Sequence, residues 1–137
     1  MAISNFKVRS TQVDFFGHLN NACYLEIYEW ARWEWAEQNG MDLTEMTEVQ
    51  GIGPAILHID LSFHKELRAH EEICVRTWIH ELTKVKGVVA QEMTNKAGEK
   101  ASDVKITFVM FDLKARKIVP VPEQMHKIFK EQQKEQE

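Results

Sequence analysis

Residues 13–35 read VDFFGHLNNACYLEIYEWARWEW. The first part of this stretch gathers Asp14, Gly17, His18, Asn20 and Asn21 just ahead of a run with helical spacing. On a helical wheel Tyr24, Ile27, Tyr28, Ala31 and Trp35 fall on one side, at i, i+3, i+4, i+7 and i+11. The spacing predicts a helix over 21–39, stopped by Gly40 as the C′ residue and packed on a sheet through that apolar side. Trp30 and Trp33 lie nearly opposite, beside Glu26 and Glu37. Such a pair suits either partial burial under a loop or under the C-terminal helix, or a contact between subunits, and the latter is the expectation.

Working outward, the hydrophobic period changes from 3.6 to 2. In AILHIDLSFHK, residues 55–65, Ala55, Leu57, Ile59, Leu61 and Phe63 alternate with His58, Asp60, Ser62 and His64, the pattern of a half-buried strand. Strands are expected over 71–82, 85–95 and 101–113, with a hairpin turn at 95–100 around Gly98. The centre of the last, Thr107 to Phe111, is almost wholly apolar, as in a strand covered on both sides. A short strand near 116–119 precedes Pro120 and Pro122, and residues 123–135 read as a C-terminal helix with a polar tail. Upstream, residues 5–10 read as a strand with Phe6 and Val8 on one face, followed by a loop over 11–20. One long helix and several consecutive strands joined by short turns give an α+β class with an antiparallel sheet.

The 137 residues fit one domain. A hydrophobic share of 44% and a charged share of 28% are those of a globular chain. The net charge of −4 argues against a general nucleic-acid binder, which needs a basic face for phosphates. Cys23 and Cys74 form no CxxC and no Cys/His cluster, so neither a disulfide scaffold nor a structural zinc site is expected. The N-terminal MAISNFKVRS has no apolar h-region, and no segment approaches the length of a membrane span. The reading is a soluble cytoplasmic protein. GIGP, residues 51–54, lacks the Lys-Ser/Thr of a phosphate-binding loop.

The spacing of Asp14, Gly17 and Tyr24, joined to HLNN, YLE and the EWAR segment, resembles the hotdog-fold thioesterases of the 4-hydroxybenzoyl-CoA thioesterase type. It looks like their bacterial long-chain acyl-CoA thioesterase III branch. Further likeness runs through DLSFHKEL, KVKGVVAQE and ITFVMFDLKARKIVP, covering roughly residues 6–120. The resemblance implies an antiparallel sheet of five or six strands wrapped around the long helix. It also implies homodimers joined sheet edge to sheet edge, often paired into homotetramers, with active sites at the subunit interface. The implied reaction is hydrolysis of a fatty or aryl acyl-CoA to acid and CoA, without metal or cofactor. One departure stands out: where the family often has a proline near the end of the second strand, FHKELR has Glu66 and Leu67.

A thioester needs water or a carboxylate brought to its carbonyl carbon, and donors for the charge that develops on its oxygen. A helix N-terminus offers unpaired N–H groups and a positive dipole end. The family motif makes the backbone N–H of Asn21 the candidate oxyanion donor and Asp14 the carboxylate, acting as general base or as nucleophile. The bland reading of Asp14 is a turn or helix cap. His18 would orient water or the carbonyl, or serve only as a hydrogen-bonding loop residue. Gly17 would permit a backbone shape closed to other residues, and Asn20 or Asn21 would cap the helix. Tyr24 would border the substrate, chiefly by packing. Glu29 is a weaker substrate-facing candidate that could instead pair with Arg32. Lys84 and Lys86 match the basic position that meets CoA phosphates in the family, or form a solvated turn. Cys23 with His18 as base is a further option. Acyl carrier protein thioesters, a hotdog dehydratase and a non-catalytic acyl-binding module stay open as alternatives.

Overall fold

The computed structural model describes residues 2–135. The elements in chain order are β1 (Ala2–Lys7), α1 (Asn21–Gln38), β2 (Ile52–Phe63), β3 (Glu72–Leu82), β4 (Lys86–Asn95), β5 (Lys100–Asp112), β6 (Lys117–Val119) and α2 (Glu123–Glu135), with a short π-helical turn at Glu45–Val49. Every strand pairing is antiparallel, in the order β1-β3-β4-β5-β2, and β6 pairs with β5 beyond the end of β4. The curled six-stranded sheet carries α1 on its concave side, as expected for a hotdog fold.

Tyr24, Ile27, Tyr28, Ala31 and Trp35 are buried, so the face read from the wheel is the one that packs. Burying each large side chain stabilises the fold by roughly 1.5–3 kcal/mol. They divide between two clusters. One joins Tyr24, Ile27, Tyr28 and Ala31 to Val8, Leu67, Val75, Met93 and Ile106. The other joins Trp35 and Ala36 to Ile79, Val89, Phe108, Met110 and, from α2, Met125 and Ile128. A polar layer runs through the core: buried Gln91 donates to the Tyr28 carbonyl at 2.9 Å and to Thr77 at 3.1 Å, and accepts from Arg32 Nη1 at 3.0 Å. Arg32 therefore takes Gln91 as its hydrogen-bond partner. Burial pulls the Arg32 guanidinium down from its usual range, and nearby Glu29 opposes this.

Three expectations need correction, and one element is added. The first strand runs Ala2–Lys7, earlier than residues 5–10, because the chain turns inward at Val8 and enters a 3-10 turn at Ser10–Gln12. Trp30 is not exposed beside Trp33: β1 reaches the flank of α1, and Trp30 packs 6.3 Å from Phe6 while Trp33 stays open. The alternation in β2 breaks at Leu57, where the register with β5 shifts between Ile56 and His58. Directly paired residues share a sheet face. The pairs Ile56 with Phe108 and Ile59 with Ile106 thus put Ile56, Ile59, Leu61 and Phe63 on the helix side, and move Ala55 to the outer face with His58. Finally, Glu45–Val49 gives no periodic signal in sequence and was not foreseen.

α2 also finishes the sheet. β1 begins opposite Thr77, so β3 continues past it without that neighbour. There the Gln132 side chain accepts from Ile79 N–H at 2.9 Å and donates to Ile79 C=O at 3.0 Å, taking a strand's place at that residue.

Candidate active site

The loop before α1 is a compact turn built by Asp14. Its Oδ1 accepts from the N–H of Phe16 at 2.9 Å and of His18 at 3.2 Å, while its carbonyl accepts from Gly17 N–H at 3.0 Å. Gly17 sits at φ +80°, a conformation that side chains resist. The turn-capping reading of Asp14 is thus correct for one oxygen. The other, Oδ2, has no hydrogen-bond partner among the described residues.

The turn is tied down on two sides. Asn20 N–H donates to Gln12 C=O at 2.8 Å, and Leu19 N–H to Leu67 C=O at 2.7 Å. Asn20 is the N-cap of α1, its Oδ1 accepting from Ala22 N–H at 2.9 Å. Cys23 N–H bonds the Asn20 carbonyl at 2.9 Å. The N–H of Asn21, the first helical residue, has no acceptor among the described residues. This is the donor that the motif singles out.

Asp14, His18, Asn21 and Tyr24 line one open cleft of about 280 Å³, closed on the far side by Phe63, His64, Lys65 and Glu66 at the end of β2. Tyr24 and Phe63 meet edge to face, with ring centroids 4.9 Å apart. Burial, then the carboxylates of Glu71, Asp14 and Glu66, pushes the Tyr24 hydroxyl up, so it remains a protonated phenol at neutral pH. His18 Nε2 lies 3.1 Å from Glu66 Oε2. His64 Nε2 lies 2.8 Å from Asp103 Oδ2, which Lys100 also meets at 3.0 Å. Burial pulls Asp103 up, but the hydrogen bonds and charges of Lys100 and His64 outweigh it and hold the carboxyl below its usual range.

Glu29, Lys84 and Lys86 are not part of this cleft. Glu29 is exposed, about two turns along α1 from Asn21. Lys86 pairs with Val109, whereas the cleft lies at the Ser102 end of β5, roughly 23 Å away along the strand. Lys84 lies in the same turn as Lys86, where its carbonyl accepts from Val121 N–H. Cys23 is half-buried against the core, and burial, then Glu26, pushes its thiol up, the opposite of an activated nucleophile. Sequence reasoning missed His64, Lys65 and Glu66 as site residues. Their only local signal is polarity at a strand end; the pairing of β2 with β5 and the bridge from the following segment to the motif loop deliver them.

The family model of the thioesterase-like superfamily matches residues 8–129. The chain belongs to this superfamily. Within it, the chain is 29% identical over 115 residues to the long-chain acyl-CoA thioesterase FadM of Escherichia coli K12, covering 83% of this chain and 86% of that one. Among solved structures it is similar to YbaW, a probable thioesterase from Escherichia coli, with a TM-score of 0.80, 26% identity and coverage of 91% and 93%. The DHNA-CoA thioesterase of Staphylococcus aureus shares the fold at a TM-score of 0.88 and 21% identity, with coverage of 96% and 90%. The superfamily expected from the motif is thereby borne out.

Proposed function

We propose that this chain is an acyl-CoA thioesterase in which Asp14 and the Asn21 N–H act on one carbonyl. The observation that carries the proposal is the cleft itself: Asp14, with one carboxylate oxygen that has no partner among the described residues, and Asn21, with a helix-terminal N–H that has no acceptor among them, both line it. With Oδ1 held by the turn, Oδ2 takes a proton from water as the water oxygen attacks the carbonyl carbon. The oxygen that gains charge sits at the Asn21 N–H, a contact worth about 2.7–4 kcal/mol in the transition state. Collapse breaks the C–S bond, the departing CoA thiolate takes the proton from Asp14, and the free acid is left. In the alternative route Oδ2 attacks first, and water then cleaves the mixed anhydride. Gly17 sets the turn, Tyr24 walls the acyl side, and His18 orients water or the carbonyl.

The same reading calls for a second copy. β2 is a sheet edge whose Ile56, Leu57, Ile59 and Phe63 are 49%, 60%, 40% and 49% exposed. Two such edges paired antiparallel about a two-fold axis would set the Ile52 end of one copy beside the Phe63 end of the other. Lys84 and Lys86 of one subunit, with Lys114, Arg116 and Lys117, would then approach the cleft of its mate. That arrangement suits the phosphates of CoA and reconciles the two lysines with their distance from the cleft in their own chain. Glu29 is left at the margin of the substrate path. We read the assembly as a homodimer or homotetramer of one-domain subunits, working in the cytoplasm in acyl-lipid turnover. No helix among the described residues is long and apolar enough to cross a membrane.

The test is free-thiol release across acyl-CoA and acyl carrier protein thioesters. The native chain is expected to hydrolyse acyl-CoA, and Asp14→Asn to lose at least about a hundredfold in kcat/KM with its fold intact. Unchanged turnover in that variant would remove Asp14 from the chemistry. Binding without hydrolysis of any thioester would favour the non-catalytic module. For the assembly, Leu57→Lys with Ile59→Lys is expected to lower the mass in solution; an unchanged mass would clear the β2 edge of that role.

A further inference from the structure

Glu66 is brought to His18 by a fixed frame. His18 and Arg68 form an isolated antiparallel bridge, and Leu19 N–H donates to Leu67 C=O at 2.7 Å. The motif loop and the segment after β2 are thus laced together at His18 and Leu19 on one side and Leu67 and Arg68 on the other, immediately after Glu66. Within that lacing Glu66 Oε2 lies 3.1 Å from His18 Nε2. On its other side His18 gives its backbone N–H to Asp14 Oδ1 at 3.2 Å. A single residue therefore touches the carboxylate proposed for the chemistry and a second carboxylate that the motif does not include.

The charged groups around this contact come from three segments. Asp14 and His18 belong to the motif loop. Glu66 and Arg68 follow β2, with Arg68 Nη2 3.7 Å from Glu66 Oε2. Glu71, ahead of β3, accepts from Arg68 N–H at 2.6 Å. Lys65 points to Glu99 instead.

An ionised carboxylate only accepts hydrogen bonds. Opposite Nε2 it selects the imidazole form that carries the proton there, and the neutral ring then keeps its lone pair on Nδ1. We propose that Glu66 is a positioning residue of the thioester site, fixing the ring orientation and tautomer of His18 so that Nδ1 accepts a hydrogen bond from water or substrate. This inference rests on the thioesterase reading for its consequence in catalysis, but not for the pairing itself. The Glu66 side chain is 64% exposed, so the pair adds little to stability. Its effect lies in where one proton sits.

The test uses the full chain with Glu66→Ala and Glu66→Gln, the second of which keeps an acceptor oxygen. Imidazole nitrogen NMR, assigned through His18→Gln and followed upward in pH until the nitrogen shifts reach their alkaline plateau, is expected to show His18 as the Nε2–H form in the native chain. Glu66→Ala should become a tautomer mixture, and Glu66→Gln should keep the native form. In parallel, kcat should fall about tenfold in Glu66→Ala with KM and melting temperature unchanged, the scale of one hydrogen bond to a charged group. Glu66→Gln should stay within about twofold of native by the same measure. An unchanged tautomer in Glu66→Ala overturns the inference whether or not the protein cleaves thioesters. So does a Glu66→Gln variant as impaired as Glu66→Ala. A His18 tautomer that follows Glu66 in a protein with no hydrolytic activity would refute the thioesterase reading and keep the pairing.

Discussion

At the C-terminal end of α1 the chain provides partners for the last turn. Asn39 N–H reaches the carbonyls of Trp35 and Ala36 at 3.1 and 3.2 Å, and its side chain returns to Trp35 C=O at 2.8 Å. Gly40 N–H takes Glu37 C=O, Met41 N–H takes Ala36 C=O, and Gln124 of α2 donates to Gly40 C=O at 3.0 Å. At the N-terminal end the work stops one group short. Asn20 caps Ala22, Cys23 folds back on Asn20, and the N–H of Asn21, a residue that lines the cleft, is left without an acceptor among the described residues. Both ends begin with several unsatisfied backbone groups. The chain closes one with side chains and a second helix, and at the other leaves a donor without an acceptor among the described residues, the group that the proposed mechanism assigns to the substrate oxygen.

The packing around each end follows the same division, and substitutions can challenge it. The largest effect on stability is expected at the closed half. A Cβ on Gly87 would stand 2.6 Å from two ring carbons of buried Phe108, so Gly87→Ala should cost about 1–3 kcal/mol and lower the melting temperature. At Gly17, by contrast, an added Cβ meets nothing within 4 Å. An unchanged melting temperature in Gly87→Ala would show that the closed half is looser than its geometry. Next in size is Asn20→Ala at the open end, which removes the acceptor for Ala22 and should cost about 1 kcal/mol in chemical denaturation. On the proposed mechanism it should also lower hydrolysis, because a fraying first turn no longer holds the Asn21 N–H in place. Full activity in that variant would mean that the open N–H does not depend on its cap. The smallest effect is expected for Gln124→Ala, about 0.5–1 kcal/mol with hydrolysis unchanged. Lost activity there would join two ends that the comparison keeps apart.

Much of this was legible before any coordinates. α1 is Asn21–Gln38 against 21–39 from its apolar spacing, with Gly40 at φ +74° as the stop. Strands β3, β4 and β5 fall within a residue of their sequence bounds. These are local signals: a period, a cap, a turn glycine. What stayed hidden is set by pairing. The bulge at Leu57 decides which β2 side chains face the helix, and no alternation announces it. Glu66 and His64 join Asp14 because the end of β2 meets the start of β5 and the segment after it bridges to the motif loop at His18 and Leu19. Trp30 looked exposed because the wheel describes one helix and cannot include the strand that curls up beside it. Within the site, the motif residues were readable and their opposite wall was not.

Gln132 has a consequence that reaches beyond the sheet it completes. A strand edge with bare amides invites foreign chains to add themselves, and at Ile79 the two ends of a single amide side chain occupy the donor and acceptor that such a guest would need. The last helix thus blunts the β3 flank at Ile79 against such guests, while β2 keeps its outer amides open along the far margin of the sheet.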